Sequence, residues 1–491
     1  MKKSVKSLLI MLAVLVVLGG AAACLLLFPA ESGGEGEGSS PAASEEPKET
    51  LVQIEEEDLA SILVENSQGS FEIVPVLPEE TGEAESGMAE AAYTYTIKGL
   101  ESYSLDKARL QNAAGEVLSL TANRSLGEQE DLAQYGLEDG QAGKVTVNRK
   151  NGEPLVLSLG ITSQSGTTGQ YILQDGKVYM VPALSDVFAG TALDCVSREV
   201  YSIADWTMDG IDENGEATVD TMPDTLFSLE ITGESFSQPI SLEYVEKSRL
   251  NGYLLTSPVV AESGTAACDD LVSALKSLSA DTVEAVDVQE GDLAGFGLDK
   301  PAARVSFNMN NQEMALVASG KDGDGNRFVM VEGQSIVYKV GNAKVSAWAE
   351  ADPMDLRKGT ICLANIADVE EMSLTVDGDM VYHFTIDSQD GESTVKIPGG
   401  REVSYEDYAA FFQKLTALAV FSLEEAPCEG TPAFQVDYQY KNGSGDTVCF
   451  YAVEGQDRYA CTLNGEFNGL VRGSEFPALL ESLRFYGAIV D

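Results

Sequence analysis

The sequence predicts an α+β protein of three tandem units, each a strand pair, a helix and an antiparallel β-meander, behind one N-terminal transmembrane helix. Three observations predict it. Leu8 to Phe28 is a 21-residue run without a charge. Beyond it, alternating apolar segments broken by Gly and Asp turns recur three times in one order. Matching residues of the last two units stand at a repeated offset of 131. A chain of 491 residues has room for about three domains at about 100–200 residues each.

The apolar run, at about 1.5 Å per residue, reaches about 30 Å and covers a hydrocarbon core. Lys2, Lys3 and Lys6 precede it, and Glu31, Glu35 and Glu37 follow. The positive-inside rule then keeps the N-terminus cytoplasmic and exports the rest. Residues 1–29 are read as cytoplasmic tip and anchor. A cleaved signal and a lipoprotein signal are the rival readings. The run is longer than a cleaved signal needs. Ala21-Ala22-Ala23-Cys24 resembles a lipidation box, but Ala21 stands where such boxes carry leucine, and Leu25-Leu26-Leu27-Phe28 continues the apolar run. Residues 30–50, rich in Gly, Ser, Pro and Glu, read as a disordered acidic linker.

The three units are placed at 51–222, 223–366 and 367–491. Each opens on a strand pair: Ile62-Leu63-Val64 with Phe71-Glu72-Ile73-Val74, Leu226 to Ile231 with Pro239 to Leu242, and Met372 to Val376 with Tyr382 to Ile386. Alternation and intervening turn residues carry these assignments. A helix ending in a recurrent tripeptide follows: Leu120-Thr121-Ala122, Leu278-Ser279-Ala280 and Leu415-Thr416-Ala417. The second helix, Ala267 to Leu278, has Leu271, Ala274, Leu275 and Leu278 on one stripe, and the third has Tyr408, Phe411, Phe412 and Leu415. A turn then repeats as Asp131-Leu132-Ala133-Gln134-Tyr135-Gly136-Leu137 and Asp292-Leu293-Ala294-Gly295-Phe296-Gly297-Leu298. Gly136 and Gly297 are read as supplying a backbone conformation closed to other residues, with the neighbouring aromatic and leucine plugging the sheet. A ligand loop is the alternative. The third unit lacks this turn, but Pro301 to Val305 recurs as Pro432 to Val436, Arg327-Phe328 as Arg458-Tyr459, and Val340 as Val471.

The pattern Asp-Leu-x-x-Tyr/Phe-Gly-Leu, then a strand, a hairpin and the strands Val178-Tyr179-Met180-Val181 and Val337-Tyr338-Lys339-Val340, resembles the bacterial domain-of-unknown-function family 4340. Tyr253-Leu254-Leu255-Thr256-Ser257-Pro258 is similar to that family's strand before the helix, with Tyr253 where tryptophan is usual, and Gly140 stands where proline is usual. The resemblance implies a membrane-anchored, exported repeat protein associated with ABC-type transport systems of the gliding-motility kind. It implies no catalytic residues.

Composition narrows the chemistry. Lys and Arg number 31 against 79 Asp and Glu, a net charge of −48. A nucleic-acid backbone binder needs clustered cations, so that class is excluded, and docking of the globular part on anionic lipid is disfavoured. His383 is the one histidine; mid-strand beside two aromatics, it reads as a packed or exposed strand residue. Ser273-Ala274-Leu275-Lys276 and Ser104-Leu105-Asp106-Lys107 match S-x-x-K, but the companion motifs of that acyl-transfer chemistry are missing. Asp322-Gly323-Asp324-Gly325-Asn326 spaces oxygens as calcium loops do, yet Arg327 and Gly333 stand where an EF-hand wants glycine and glutamate; a hairpin turn is the competing reading. Outside the anchor lie Cys195, Cys268, Cys362, Cys428, Cys449 and Cys461, without a C-x-x-C. Cys449 and Cys461 flank a turn, either facing each other as a disulfide or packed as two small buried residues on one face. No catalytic, cofactor or metal residue is expected. The expected function is a non-catalytic, membrane-anchored extracytoplasmic accessory protein. Its partner would be a membrane protein, with an ABC-type permease implied by the resemblance. A cell-envelope scaffold and an envelope hydrolase are the alternatives.

Overall fold

Three antiparallel sheets, of eight, nine and nine strands, dominate the described residues. The computed structural model describes residues 48–77, 93–163, 169–211, 217–246, 252–263, 265–389 and 392–483. Leu8 to Phe28 and its flanking lysines lie outside them, and among the described residues no helix is long and apolar enough to cross a membrane. The chain is mixed, mostly antiparallel β with few helices.

The strand order is the same in each sheet. In the second, Tyr253–Ser257, Ile240–Tyr244, Leu226–Thr232, Ala303–Met309, Gln312–Ala318, Asn326–Val331, Val337–Gly341 and Thr282–Ala285 lie side by side, with Ala261–Glu262 at the outer edge. The third repeats this from Arg401–Val403 to Val420–Ser422, and the first from Thr94–Ile97 to Arg124–Gly127 without the extra edge strand. Period-two alternation sets the faces: Ala303, Val305, Phe307 and Met309 are buried while Arg304, Ser306 and Asn308 point the other way.

The longest helix of each unit packs on the inner face of its sheet: Lys107–Leu118, Ala266–Lys276 and Tyr405–Thr416, the last joined by Phe476–Leu483. Asp106, Thr265 and Ser404 cap them by accepting the backbone N–H three residues on. The predicted stripe Tyr408, Phe411, Phe412 and Leu415 is buried as a set. The second helix stops two residues short of its expected end. Ser277 turns extended, and Leu278 reaches the core from the strand Ser277–Ser279 instead.

The repeated tripeptides are not all equivalent. Leu120-Thr121-Ala122 and Leu278-Ser279-Ala280 follow their helices and pair with strands N-terminal to each sheet, Glu49–Gln53 and Glu199–Ser202. In the third unit Leu415-Thr416-Ala417 is still helix end, and Leu418-Ala419-Val420 takes the strand place, with Ala419 bridged to Thr360. Leu415 and Leu418 are one turn apart and both buried, so the local pattern cannot choose between them. Glu49 and Thr50, assigned to the spacer by composition, are already in the first strand.

The offset of 131 also slips. Glu313 pairs with Asn308 across the two-residue Asn310-Asn311 turn, whose residues have φ of 54° and 64°. In the third sheet Gln439 pairs with Gly445 across a loop one residue longer. The next strands are therefore displaced by one: Arg327 faces Val340, but Tyr459, not Arg458, faces Val471. A one-residue slip reverses the face. Arg327 is buried, while Arg458 lies half-buried beside Glu424 at 2.9 Å.

One continuous buried cluster runs through the first and second sheets, and a separate one fills the third. Tyr103 joins the first two, donating to the Asp287 carboxylate at 2.5 Å and accepting from the Asp287 N–H at 2.9 Å. The second and third are clasped by Arg357, whose guanidinium donates to the Asn468 carbonyl at 2.6 Å and its Oδ1 at 2.8 Å; Asn468 Nδ2 reaches back to the Val260 carbonyl at 2.9 Å. Cys449 and Cys461 are not joined by a disulfide. Cys449 lies opposite Thr462 and Cys461 opposite Phe450, so alternation puts these two on opposite sides of the sheet. They are both buried, but neither paired nor on one face.

Candidate functional site

The outer face of the second sheet, away from its helix, divides in two. In the second sheet one half is plugged by the repeated turn. Gly297 ends a 3₁₀ turn in the left-handed conformation, φ 66° and ψ 32°, and drops Leu298 into a buried cluster with Val317 and Val337, walled by Leu293, Phe296 and Phe328. Gly136 has φ 66° and ψ 29°, and Leu137 is buried beside it. The turn is thus a structural plug, as its repetition suggested, and both glycines occupy a conformation other residues resist.

The other half is open and polar. Ser228 and Glu230, Ser241 and Glu243, Ser306 and Asn308, Glu313 and Glu332 line a groove of about 650 Å³ over adjacent strands. Arg304 grips Glu332 through two parallel bonds of 2.6 and 2.8 Å, which neutralises one carboxylate and leaves Glu230, Glu243 and Glu313 dominant. Asn308 Oδ1 is buried there with no hydrogen-bond partner. A buried amide oxygen without a donor carries a free-energy cost that a donor from outside would relieve.

The groove's polar pair recurs in register. Ser228 lies opposite Asn308, Ser61 opposite Asn148 and Glu371 opposite Gln439. In the first sheet Asn148 donates to Ser61 Oγ at 3.0 Å. In the third, His383 lies on the equivalent face, its Nδ1 2.8 Å from Ser373 Oγ and its ring about a third exposed. Sequence reading missed these pairs, because their partners are some 70–90 residues apart and only the ladder brings them together. A second recess, about 700 Å³, lies between the second and third sheets, with Phe236, Pro258, Met354 and Leu423 as its apolar lining. Gln238 donates across it to Glu425 at 3.2 Å. Glu350 on its wall is held down to about 2, chiefly by Lys321 and then by Arg327 and Asn342.

The motifs flagged in the sequence assemble no catalytic constellation. Ser273 Oγ donates to the Asp269 carbonyl, whereas Lys276 is held by Asp205 at 2.9 Å and Asp224 at 2.6 Å. Ser104 and Lys107 lie in another groove with Arg109 and Asp186, which pair with each other at 2.8 Å. Asp322 accepts from the N–H groups of Asp324 and Asn326 and pairs with Lys339 at 2.9 Å. Its loop is a hairpin turn closed on itself, with Gly325 at φ 82°. The matching segment of the first unit, around Ser165 to Thr168, lies outside the described residues. Among the described residues no three His, Cys, Asp or Glu side chains are grouped to hold a metal.

These features define a class: tandem antiparallel sheets with helices packed on their inner faces, the second presenting an open polar half-face outside. The model of a domain of unknown function, DUF4340, matches residues 95–234 and 254–442, and the chain belongs to that family. No curated protein and no solved structure matches the chain.

Proposed function

We propose that this is a single-pass, membrane-anchored extracytoplasmic accessory protein that binds a protein partner on its open sheet faces and catalyses no reaction. The observation that carries the reading is the groove over the second sheet: uncovered, polar, rimmed by Glu230, Glu243 and Glu313, with the unpartnered Asn308 oxygen on its floor. Backbone N–H groups and a lysine or arginine of an extended segment would satisfy both features. The family resemblance directs the reading to an envelope transport complex, with an ABC-type permease as the partner. Tethering raises the effective concentration of such a face for neighbours in the same membrane. Co-purification in mild detergent tests it. Partner recovery should fall in a Ser306→Arg, Glu243→Lys chain and at salt above about 0.15 M, where the screening length is about 8 Å. Unchanged recovery in that variant would refute the groove as the docking face. Recovery of wall material alone would favour the scaffold reading.

A further inference from the structure

The connection that leads into the second sheet, within the stretch 51–222 assigned to the first unit, carries an element the fold does not require. Thr207–Ile211 pairs with Ala217–Thr221 in a two-stranded sheet of its own. This hairpin is inserted between Glu199–Ser202 and Leu226–Thr232. The corresponding connections of the other units, residues 54–58 and 361–368, contain no strand. Its root is fixed: Met222 N–H donates to the Trp206 carbonyl at 2.7 Å, Trp206 packs edge-on against Phe227 at 5.4 Å, and Lys276 holds Asp205 and Asp224. Asn310 adds bonds to Asp224 at 2.7 Å and the Ala204 carbonyl at 3.1 Å.

Beyond the root, Thr207, Met208, Asp209, Val219 and Asp220 are exposed. Met208 is 49% exposed and Val219 67%. Met208 lies opposite Asp220 and Asp209 opposite Val219, so Met208 shares one face of the ribbon with the Asp220 carboxylate and Val219 shares the other with Asp209. Residues 205–224 carry seven Asp or Glu and no Lys or Arg. A lone two-stranded ribbon is marginal in water, and bare apolar side chains on both its faces fit an element completed by a partner.

We propose that this hairpin is a docking arm held by a protein partner whose cleft has an apolar floor and Lys or Arg at its rim. Met208 and Val219 enter the floor, and Asp209 and Asp220 meet the rim cations. The inference rests on the partner-docking reading above and adds a second contact to the sheet face. It is tested in the full-length chain in its own membrane, with a photo-crosslinking phenylalanine at Val219, at the groove residue Ser306, or at the exposed Tyr405 of the third unit as a control site. The expected result is a Val219 adduct, absent from Tyr405, that maps to a peptide containing Lys or Arg. Its yield should fall about tenfold when Asp209→Asn and Asp220→Asn are combined, and similarly at high salt. A mapped peptide without a basic residue, or a yield indifferent to both aspartates and to Met208→Ser, overturns the arm. An adduct at Ser306 with none at Val219 overturns the arm and leaves the sheet face standing; no adduct at either overturns both.

Discussion

Removing the Asn468 side chain should cost more stability than removing the charge it holds. Arg357 is 1% exposed and has no carboxylate partner among the described residues; its donors end on the Asn468 carbonyl and Oδ1, on the Lys358 carbonyl at 3.0 Å and on the Thr360 carbonyl at 3.5 Å. Burial pulls its pKa down to about 10. In Asn468→Ala the cation stays buried but loses one charge-assisted bond, about 1.5–3 kcal/mol, and the bond to the Val260 carbonyl is lost as well, about 1 kcal/mol. The expected total is about 2.5–4 kcal/mol. In Arg357→Met the acceptors are stranded, but the desolvated charge is gone, so the cost should be about 1–2 kcal/mol. Urea unfolding of the detergent-solubilised chain, followed by intrinsic fluorescence and by proteolysis of the third sheet, measures both. Asn468→Ala should also separate unfolding of the third sheet from the second, because Arg357 and Asn468 clasp them. An Asn468→Ala loss under about 1 kcal/mol, or a larger loss in Arg357→Met, would refute the reasoning.

Gly297→Val should destabilise by about 1 kcal/mol from its positive φ alone, since a Cβ there meets only Ser319 Cβ at 3.6 Å. Gly136→Val should cost more, because its Cβ would lie 2.7 Å from Ile161 Cγ2; equal shifts in melting temperature would contradict the pair. Glu350 is a carboxylate with a depressed pKa, so its contribution is present above about 4.5 and is lost as pH falls towards about 2. Being about a third exposed, it should be worth on the order of 1 kcal/mol, and Glu350→Gln should flatten stability over that window. Protease added to cells stripped of their wall should digest the chain beyond residue 48, and full protection would reverse the proposed orientation.

Local chemistry in the sequence was enough to determine the repeat. Period-two alternation placed the strand pairs, the spacing of Tyr408, Phe411, Phe412 and Leu415 gave a helix face, and the paired glycines announced left-handed turns; each of these depends on residues within one or two turns of chain. Tertiary structure decided what depends on distant partners. A loop one residue longer put Arg327 in the interior and left Arg458 half-buried, though the sequence aligns them at the same offset. The turn between Cys449 and Cys461 announced a hairpin, but only the ladder register shows that alternation separates those thiols. The open groove was illegible for a related reason. Ser228, Ser306 and Asn308 look like ordinary polar positions of half-buried strands, and whether a plug covers them depends on where the next loop folds. Nothing in the sequence around Arg357 marks it as buried; only the meeting of two sheets removes it from water, since burial belongs to the assembled surfaces and not to the residue.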